Sequence, residues 1–380
     1  MFDSSVVATV RSAPNAVLIG TGALTPKSPD TAAQDRPERC QRGYRAVGVG
    51  HRGREFSPPT GSDTVQQTGL IQMRISVSAW DPGYAETSER VGDANRAKVD
   101  LDVEVPATDW HPRTPDPTTT VPRVLLVDGV RRLDARVDID VPGQAPAPGL
   151  CASYAAGVVV CDLAADSPNA QLAASRIERG LFSSVADADL SAGPVASYRA
   201  RRVGANDPGD LINAVQERLT FLEVEVANAA QPGDADLLVL DGALRRREHL
   251  PRAVGFIKSH QRRYLTDSHS ELVNRLQPGE RTPIFEIRTN WRRRSWYLRL
   301  PGGGGGSWAG IARLEANPDL PIKDVTALAD VSALMLPRLA SVAHKDPRAP
   351  QNLTPIAGLE RMLRAKLGDP RLLLRNLRRG

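Results

Sequence analysis

Two short runs in this chain have nearly the same form. Arg123-Val-Leu-Leu-Val-Asp128-Gly129 and Asp236-Leu-Leu-Val-Leu-Asp241-Gly242 each carry four aliphatic residues in a row, then aspartate, then glycine. A short unbroken apolar run suits a strand covered on both faces, as in a parallel sheet between helices. Asp-Gly is turn chemistry, so each strand is expected to stop there.

The surrounding elements give these strands a context. Arg132 to Val141 alternates through Leu133, Ala135, Val137 and Ile139, and reads as the return strand of a hairpin. Tyr154 to Leu163, around Gly157-Val-Val-Val-Cys161, reads as a third strand, completing an antiparallel meander. Asp210 is placed to cap a helix from Leu211 to about Ala230, with Val215, Leu219, Leu222 and Val226 forming one apolar stripe. Gln231-Pro-Gly-Asp234 stops the helix, and the second apolar strand follows from Ala235. Ala253 to Lys258 is a further strand. Ile284 to Arg288, Ser295 to Leu300 and Gly310 to Glu315 read as antiparallel strands, the last two joined by Gly302 to Gly306. Two helices, Pro355 to about Leu367 and Pro370 to Leu377, close the chain.

The fold class expected is α/β. A three-strand meander, a helical crossover and then parallel strands is the order of an RNase H-like mixed sheet, here with additional antiparallel strands and C-terminal helices. A right-handed crossover sets the strand from Ala235 parallel and next to the strand from Arg123. Asp128 and Asp241 then share a level at the carboxyl edge, where ligands of parallel sheets collect.

Residues 1–72 differ from the rest: rich in Arg, Gly, Pro, Ser and Thr, with little periodicity. They read as a disordered arm, basic enough to touch DNA, or as an extension ahead of a natural start at Met73. Met73-Arg-Ile-Ser-Val-Ser-Ala-Trp80 is the first convincing strand, so the folded domain is expected over 73–380, with its core over 123–300 and its closing helices over 355–378. Gly48, Gly50 and Gly53 match G-x-G-x-x-G, but no helix pattern follows, and the match reads as coincidence. Cys40, Cys151 and Cys161 have no metal-type spacing; an odd count without a secretion signal suggests a reducing cytoplasm. No stretch approaches the ~18 apolar residues that span a bilayer.

The charge balance, 49 basic against 44 acidic residues, decides little; its distribution says more. Arginine clusters at Arg245-Arg246-Arg247, Arg262-Arg263, Arg292-Arg293-Arg294 and Arg378-Arg379. Guanidinium forks match phosphate geometry. Solvated faces are the plainer reading of any one cluster.

Two carboxylates held close repel each other, so one takes a proton or a cation sits between them. Hard divalent ions prefer oxygen ligands, and Mn²⁺ or Mg²⁺ suits such a pair. Two such ions support phosphodiester hydrolysis. The helix offers Glu217, Glu223 and Glu225 as a third ligand. At about 100° per residue, Glu223 lies nearest the apolar stripe, Glu225 lies on the opposite flank as a reserve, and Glu217 points away. Arg131, Arg132, Lys258, Arg292 and Arg293 are candidate phosphate contacts. Trp291, Trp296 and Tyr297 are candidates for stacking unpaired bases, with core packing the simpler reading. Gly302 to Gly306 has no following Lys-Ser/Thr, so it is no phosphate loop, and no G-x-S-x-G elbow occurs.

The Val-Asp-Gly at Asp128, the helix glutamate, the Leu-Asp-Gly-Ala-Leu at Asp241, the Val-Gly-Phe-Ile-Lys at Lys258 and the Trp-Tyr-Leu-Arg-Leu at Trp296 together resemble the NurA nucleases. The resemblance spans roughly Met73 to Gly380, and its specificity lies in the order of short motifs. It implies manganese-dependent DNA cleavage, as a 5'-3' exonuclease and single-strand endonuclease, by a toroidal homodimer. It also implies a HerA-type helicase partner in end resection for double-strand break repair. Asp128, Glu223 and Asp241 are then the metal-binding catalytic carboxylates. The chain departs from the family near its end. Where the family has Tyr-Pro-x-Pro-Leu and then a catalytic histidine, this sequence has Asn352-Leu-Thr-Pro-Ile356, and the histidine position falls near Glu360. His344 is the nearest imidazole in sequence. The departure leaves two rivals open: a catalytically weak DNA-binding or scaffold subunit, and a metal-dependent RNase.

Overall fold

A computed structural model describes residues 97–378, apart from 119–120, 142–144, 164–168, 187–188, 205–206, 261 and 303–307. The arm, the expected strand at Met73 to Trp80, Cys40 and most of the polyglycine run lie outside the described residues. In chain order the elements are β1 (Lys98–Asp100), β2 (Arg123–Ile139), β3 (Ala147–Asp162), β4 (Asn169–Ser183), β5 (Leu190–Ser191), β6 (Ser197–Arg202), α1 (Pro208–Ala229), β7 (Leu237–Asp241) and β8 (Ala253–Ile257). They continue with α2 (Asp267–Arg275), β9 (Phe285–Arg288), β10 (Arg292–Arg299), β11 (Ile311–Ala316), α3 (Ile322–Met335), α4 (Thr354–Lys366) and α5 (Pro370–Leu377). The described strands form one mixed sheet of 11, in the order β1-β9-β10-β11-β8-β7-β2-β3-β4-β6-β5.

The meander exists but is cut differently from the expectation. Asp128-Gly129 does not end a strand. β2 runs 17 residues through it, pairing Asp128 with Gly157, Gly129 with Ala156 and Val130 with Ala155 on β3. Local turn chemistry loses here because β3 offers a long, buried antiparallel partner on both sides of the glycine. The segment from Arg132 is therefore the continuation of β2, and Tyr154 onwards is the second half of β3. A register shift between Leu133 and Ala135 absorbs Asp134. Its buried carboxylate accepts from Arg132 Nε at 2.7 Å and from the Tyr198 hydroxyl at 3.0 Å. The third strand is β4, whose first half is too exposed to leave a pattern.

α1 begins one turn earlier than expected. Asp207, not Asp210, caps it, accepting from the Gly209 amide, with Pro208 opening the helix. Its stripe of Leu211, Val215, Leu219, Leu222 and Val226 is buried as the spacing predicts. It covers Leu125 and Val127 of β2, Tyr154 and Val158 of β3, and Leu238 and Leu240 of β7. On the other sheet face, Val124, Leu126, Leu237 and Val239 meet α3, the 3-10 turn that follows it and α4 through Leu328, Leu336, Ile356 and Leu363. Each such aliphatic side chain, removed from water, contributes about 1.5–3 kcal/mol. After the crossover, β7 lies parallel to β2, with Val124 opposite Leu237 and Val127 opposite Leu240. β8 adds parallel to β7. The architecture is thus mixed α/β, with the neighbouring parallel strands that the two apolar runs call for.

Gly255 of β8 shapes the loop after β7. A Cβ there lies 2.7 Å from the Leu244 amide nitrogen and 2.8 Å from the Gly242 carbonyl. Both neighbours are backbone and cannot swing aside. Gly255→Ala is expected to cost about 1–3 kcal/mol in chemical denaturation. Gly358→Ala, inside α4 with nothing within 4 Å of the added Cβ, is expected to gain about 0.5–1 kcal/mol.

Candidate active site

β7 stops at Asp241 because Gly242, at φ +91°, turns the backbone in the left-handed region and donates to the Phe256 carbonyl at 2.9 Å. β2 runs on. Asp128 is therefore the first β2 residue beyond its parallel neighbour, one step past the Val127–Leu240 pair and level with Asp241. Side chains alternate along strands. Leu126 and Val130 flank Asp128 on β2, Val239 precedes Asp241 on the same face of β7, and all three face the α3 and α4 side. Both aspartates thus project from one sheet face into the notch that the end of β7 leaves.

Glu223 arrives from α1 on the opposite face. Its route depends on Gly129: a Cβ there lies 2.6 Å from Glu223 Oε1 and 2.8 Å from Leu219 Cδ1. The glycine after Asp128 thus admits a carboxylate to the strand backbone. Arg247 binds Glu223 through Nη1 and also donates to the Ala243 carbonyl. Lys258, just beyond β8, donates from Nζ to Asp241 Oδ2 at 2.5 Å and to Asn352 Oδ1 at 2.9 Å.

The electrostatics follow from burial. Asp128 is held well above the usual carboxylate range, first by burial and then by Asp241; Lys258 opposes this, and Glu223 and Glu360 add to it. Asp128 Oδ1 accepts from the Gly129 amide at 2.7 Å, and among the described residues no cation forms an ion pair with it. Burial also pushes Glu223 up, and the Arg247 guanidinium offsets part of that rise. For Glu360 on α4, burial is outweighed by hydrogen bonds from Arg348 and Arg364, each 2.9 Å, which hold it below its ordinary value.

The other sequence candidates divide clearly. Glu225 lies on the outer flank of α1, paired with Arg176 at 2.8 Å and Arg218 at 3.0 Å, away from the notch. Glu217 pairs with Arg246. His344 is exposed, two residues before Asp346. Arg293 is not a surface arginine: it is 0% exposed, pairs with Glu315 at 3.0 Å, and lies 4.6 Å from the Trp291 ring centroid. Lys258, 2% exposed at its side chain, serves Asp241 rather than solvent. Arg132 is tied to Asp134 and to the Gly368 carbonyl, 2.7 Å each. Arg131 is partly exposed, and Arg292, 51% exposed at its side chain, pairs with Glu286 at 3.2 Å and Asp319 at 3.6 Å. Trp296 and Tyr297 are core residues. The sequence reading had no role for Asn352 or Arg247 as site partners. Arg247 carried a signal only in hindsight, because a buried Glu223 demands a counter-charge.

No protein-family model matches the chain, and no curated protein matches it either. Among the described residues, no three His, Cys, Asp or Glu side chains are grouped so as to hold a metal ion, and no helix is long and apolar enough to cross a membrane. What the geometry defines is a mixed α/β protein with a buried acidic notch, in which Asp241 and Glu223 are neutralised by Lys258 and Arg247 while Asp128 is not.

An aspartate whose folded pKa is raised above its ordinary value of 3.8 stabilises the fold below that value, and the contribution is lost as pH rises through the folded pKa. Asp128→Asn removes this penalty. The variant is expected to melt above the wild type near neutral pH without metal, and the gap is expected to close as pH falls towards the ordinary carboxylate range. A melting curve at each pH, in chelator, checks both.

Proposed function

We propose that the chain is a divalent-metal-dependent DNA nuclease of the NurA type with an RNase H-like core. One observation carries the reading: the β2–β7 register sets Asp128 level with Asp241 on one sheet face, while Glu223 reaches the β2 backbone at the bare Gly129 from the other face. The antiparallel β2, β3 and β4, followed by α1 and the parallel β7 and β8, support the RNase H-like order.

The donor set fits a hard divalent cation in kind. It is all carboxylate oxygen, and Asp128 is a buried acid that gains most from a nearby positive charge. Asp128 and Asp241 would hold Mn²⁺ or Mg²⁺, as one ion or two; Glu223, paired with Arg247, is not grouped with them as a third ligand among the described residues and would have to leave that arginine to become one. When bound, such ions supply an activated water and charge to steady the leaving oxygen of a phosphodiester. The chain's own groups do the rest. Lys258 orients Asp241 by its hydrogen bond, and Arg247 fixes Glu223 against the loop carbonyl of Ala243. Arg131, partly exposed on β2, and Arg292, exposed but already paired with Glu286 and Asp319, are the candidate phosphate contacts. The DNA substrate, the homodimer, the HerA-type ATPase partner, the role in end resection and the cytoplasmic setting are proposed with the family resemblance.

A second reading, a scaffold subunit that binds DNA without cutting it, is favoured by the ion pairs that already neutralise Asp241, Glu223 and Glu360. Incubating the protein with labelled single-stranded DNA and Mn²⁺ separates the two. The nuclease cuts, and Asp128→Ala or Asp241→Ala each lower the rate by about 10³-fold, the equivalent of several kcal/mol of transition-state stabilisation. Absence of cutting, with DNA affinity indifferent to both changes, supports the scaffold. An RNA strand of the same sequence distinguishes an RNase.

A further inference from the structure

The strand that follows β7's loop, β8, is followed at once by a buried lysine. Lys258 is 2% exposed at its side chain, and buried lysines persist only when paired. Its ammonium has three protons to donate. One goes to Asp241 Oδ2 at 2.5 Å and one to Asn352 Oδ1 at 2.9 Å. Asn352 is itself 0% exposed. Its amide nitrogen donates to Asp346 Oδ2 at 2.6 Å, so both ends of the amide are committed and its orientation is fixed. Asp346 is anchored in turn by the Arg348 amide at 2.8 Å. The segment leading into α4 thus clamps one cation onto the notch. That cation also draws Asp128 back towards its charged form, against burial and the neighbouring acids.

We infer that Lys258, held in place by Asn352, is a tethered counter-cation of the Asp128–Asp241 pair and competes there with the divalent ion. Asn352 is a positioning residue: it touches neither substrate nor metal and acts through the lysine. The inference rests on the metal-site reading above. A carboxylate oxygen engaged by an ammonium is less available to a metal, and the buried notch strengthens that exclusion because charges there are weakly screened. The clamp therefore sets how much divalent metal the protein needs before the site fills.

The test uses the full chain stripped by chelator, titrated with MnCl₂ and followed by calorimetry and by thermal melting, with no activity measurement. Lys258→Met keeps the length and apolar stem but removes the charge. It is expected to lower the metal-free melting temperature and to bind Mn²⁺ about tenfold more tightly, the equivalent of about 1.4 kcal/mol of binding free energy. Asn352→Leu leaves the lysine tied at one end only and is expected to move both readouts the same way by a smaller amount. It decides the matter alone if Lys258→Met does not fold. Equal or weaker Mn²⁺ binding by the variants overturns the competition while leaving the metal site standing. No Mn²⁺ binding by the wild type or either variant overturns the metal reading itself, and this inference with it.

Discussion

Like charges taken out of water together are the constraint around which this molecule is arranged. The parallel pairing of β2 with β7 carries Asp128 and Asp241 to one level on one face, and Glu223 reaches the same place from behind. Desolvating each carboxylate costs several kcal/mol before mutual repulsion is counted. Nothing in the apolar packing that makes the register so definite offsets that cost. Leu125, Leu126, Leu238 and Val239 fix where the acids go, and the acids then dictate what must surround them.

The surroundings come from distant parts of the chain. Lys258 follows β8, Asn352 precedes α4, and Arg247 sits in the loop between β7 and β8. That loop is itself held by a buried ionic group on the next strand: Glu315 of β11 accepts from the Leu244 amide at 3.1 Å. Arg293 and Arg313 each pair with Glu315 at 3.0 Å. The antiparallel strands β9 to β11 therefore do more than widen the sheet. They carry the charges that lock the turn after Asp241, and Gly255 lets that turn lie directly against β8.

The legible part of this arrangement was the part written in short-range apolar pattern. The two aliphatic runs specified buried neighbouring strands, and the stripe on α1 specified which side of the helix faces them; from that stripe alone Glu223 could be preferred to Glu225. The illegible part depends on what lies across space. Asp128-Gly129 has the local chemistry of a turn, and only the length of β3 keeps it extended. β4 is mostly exposed in its first half, so alternation never developed there. Arg293 looks like a surface charge until Glu315, 22 positions further along, is known to sit beside it in the core. Lys258 has the local look of a phosphate contact for the same reason: a cation's role is set by the anion it meets, and sequence does not say which.

The three acids stand in three different charge environments, and the differences have chemical meaning. Glu223 faces an arginine that also bonds the Ala243 carbonyl, so its partner is a planar group tied at two points and costly to remove. Asp241 faces a lysine, a compact charge on a flexible stem that can withdraw without breaking a bidentate lock. Asp128 has only the next residue's amide on one oxygen. The notch is therefore graded, from fixed at Glu223 through exchangeable at Asp241 to open at Asp128. An incoming cation meets least resistance at Asp128, next at Asp241, and most at Glu223. The same order follows from the backbone: Asp128 stands where β2 loses its neighbour, Asp241 ends the strand that stops, and Glu223 is recessed behind a glycine. Sheet topology and counter-ion chemistry thus agree on the aspartate pair as the working edge of the site, with the glutamate as its support.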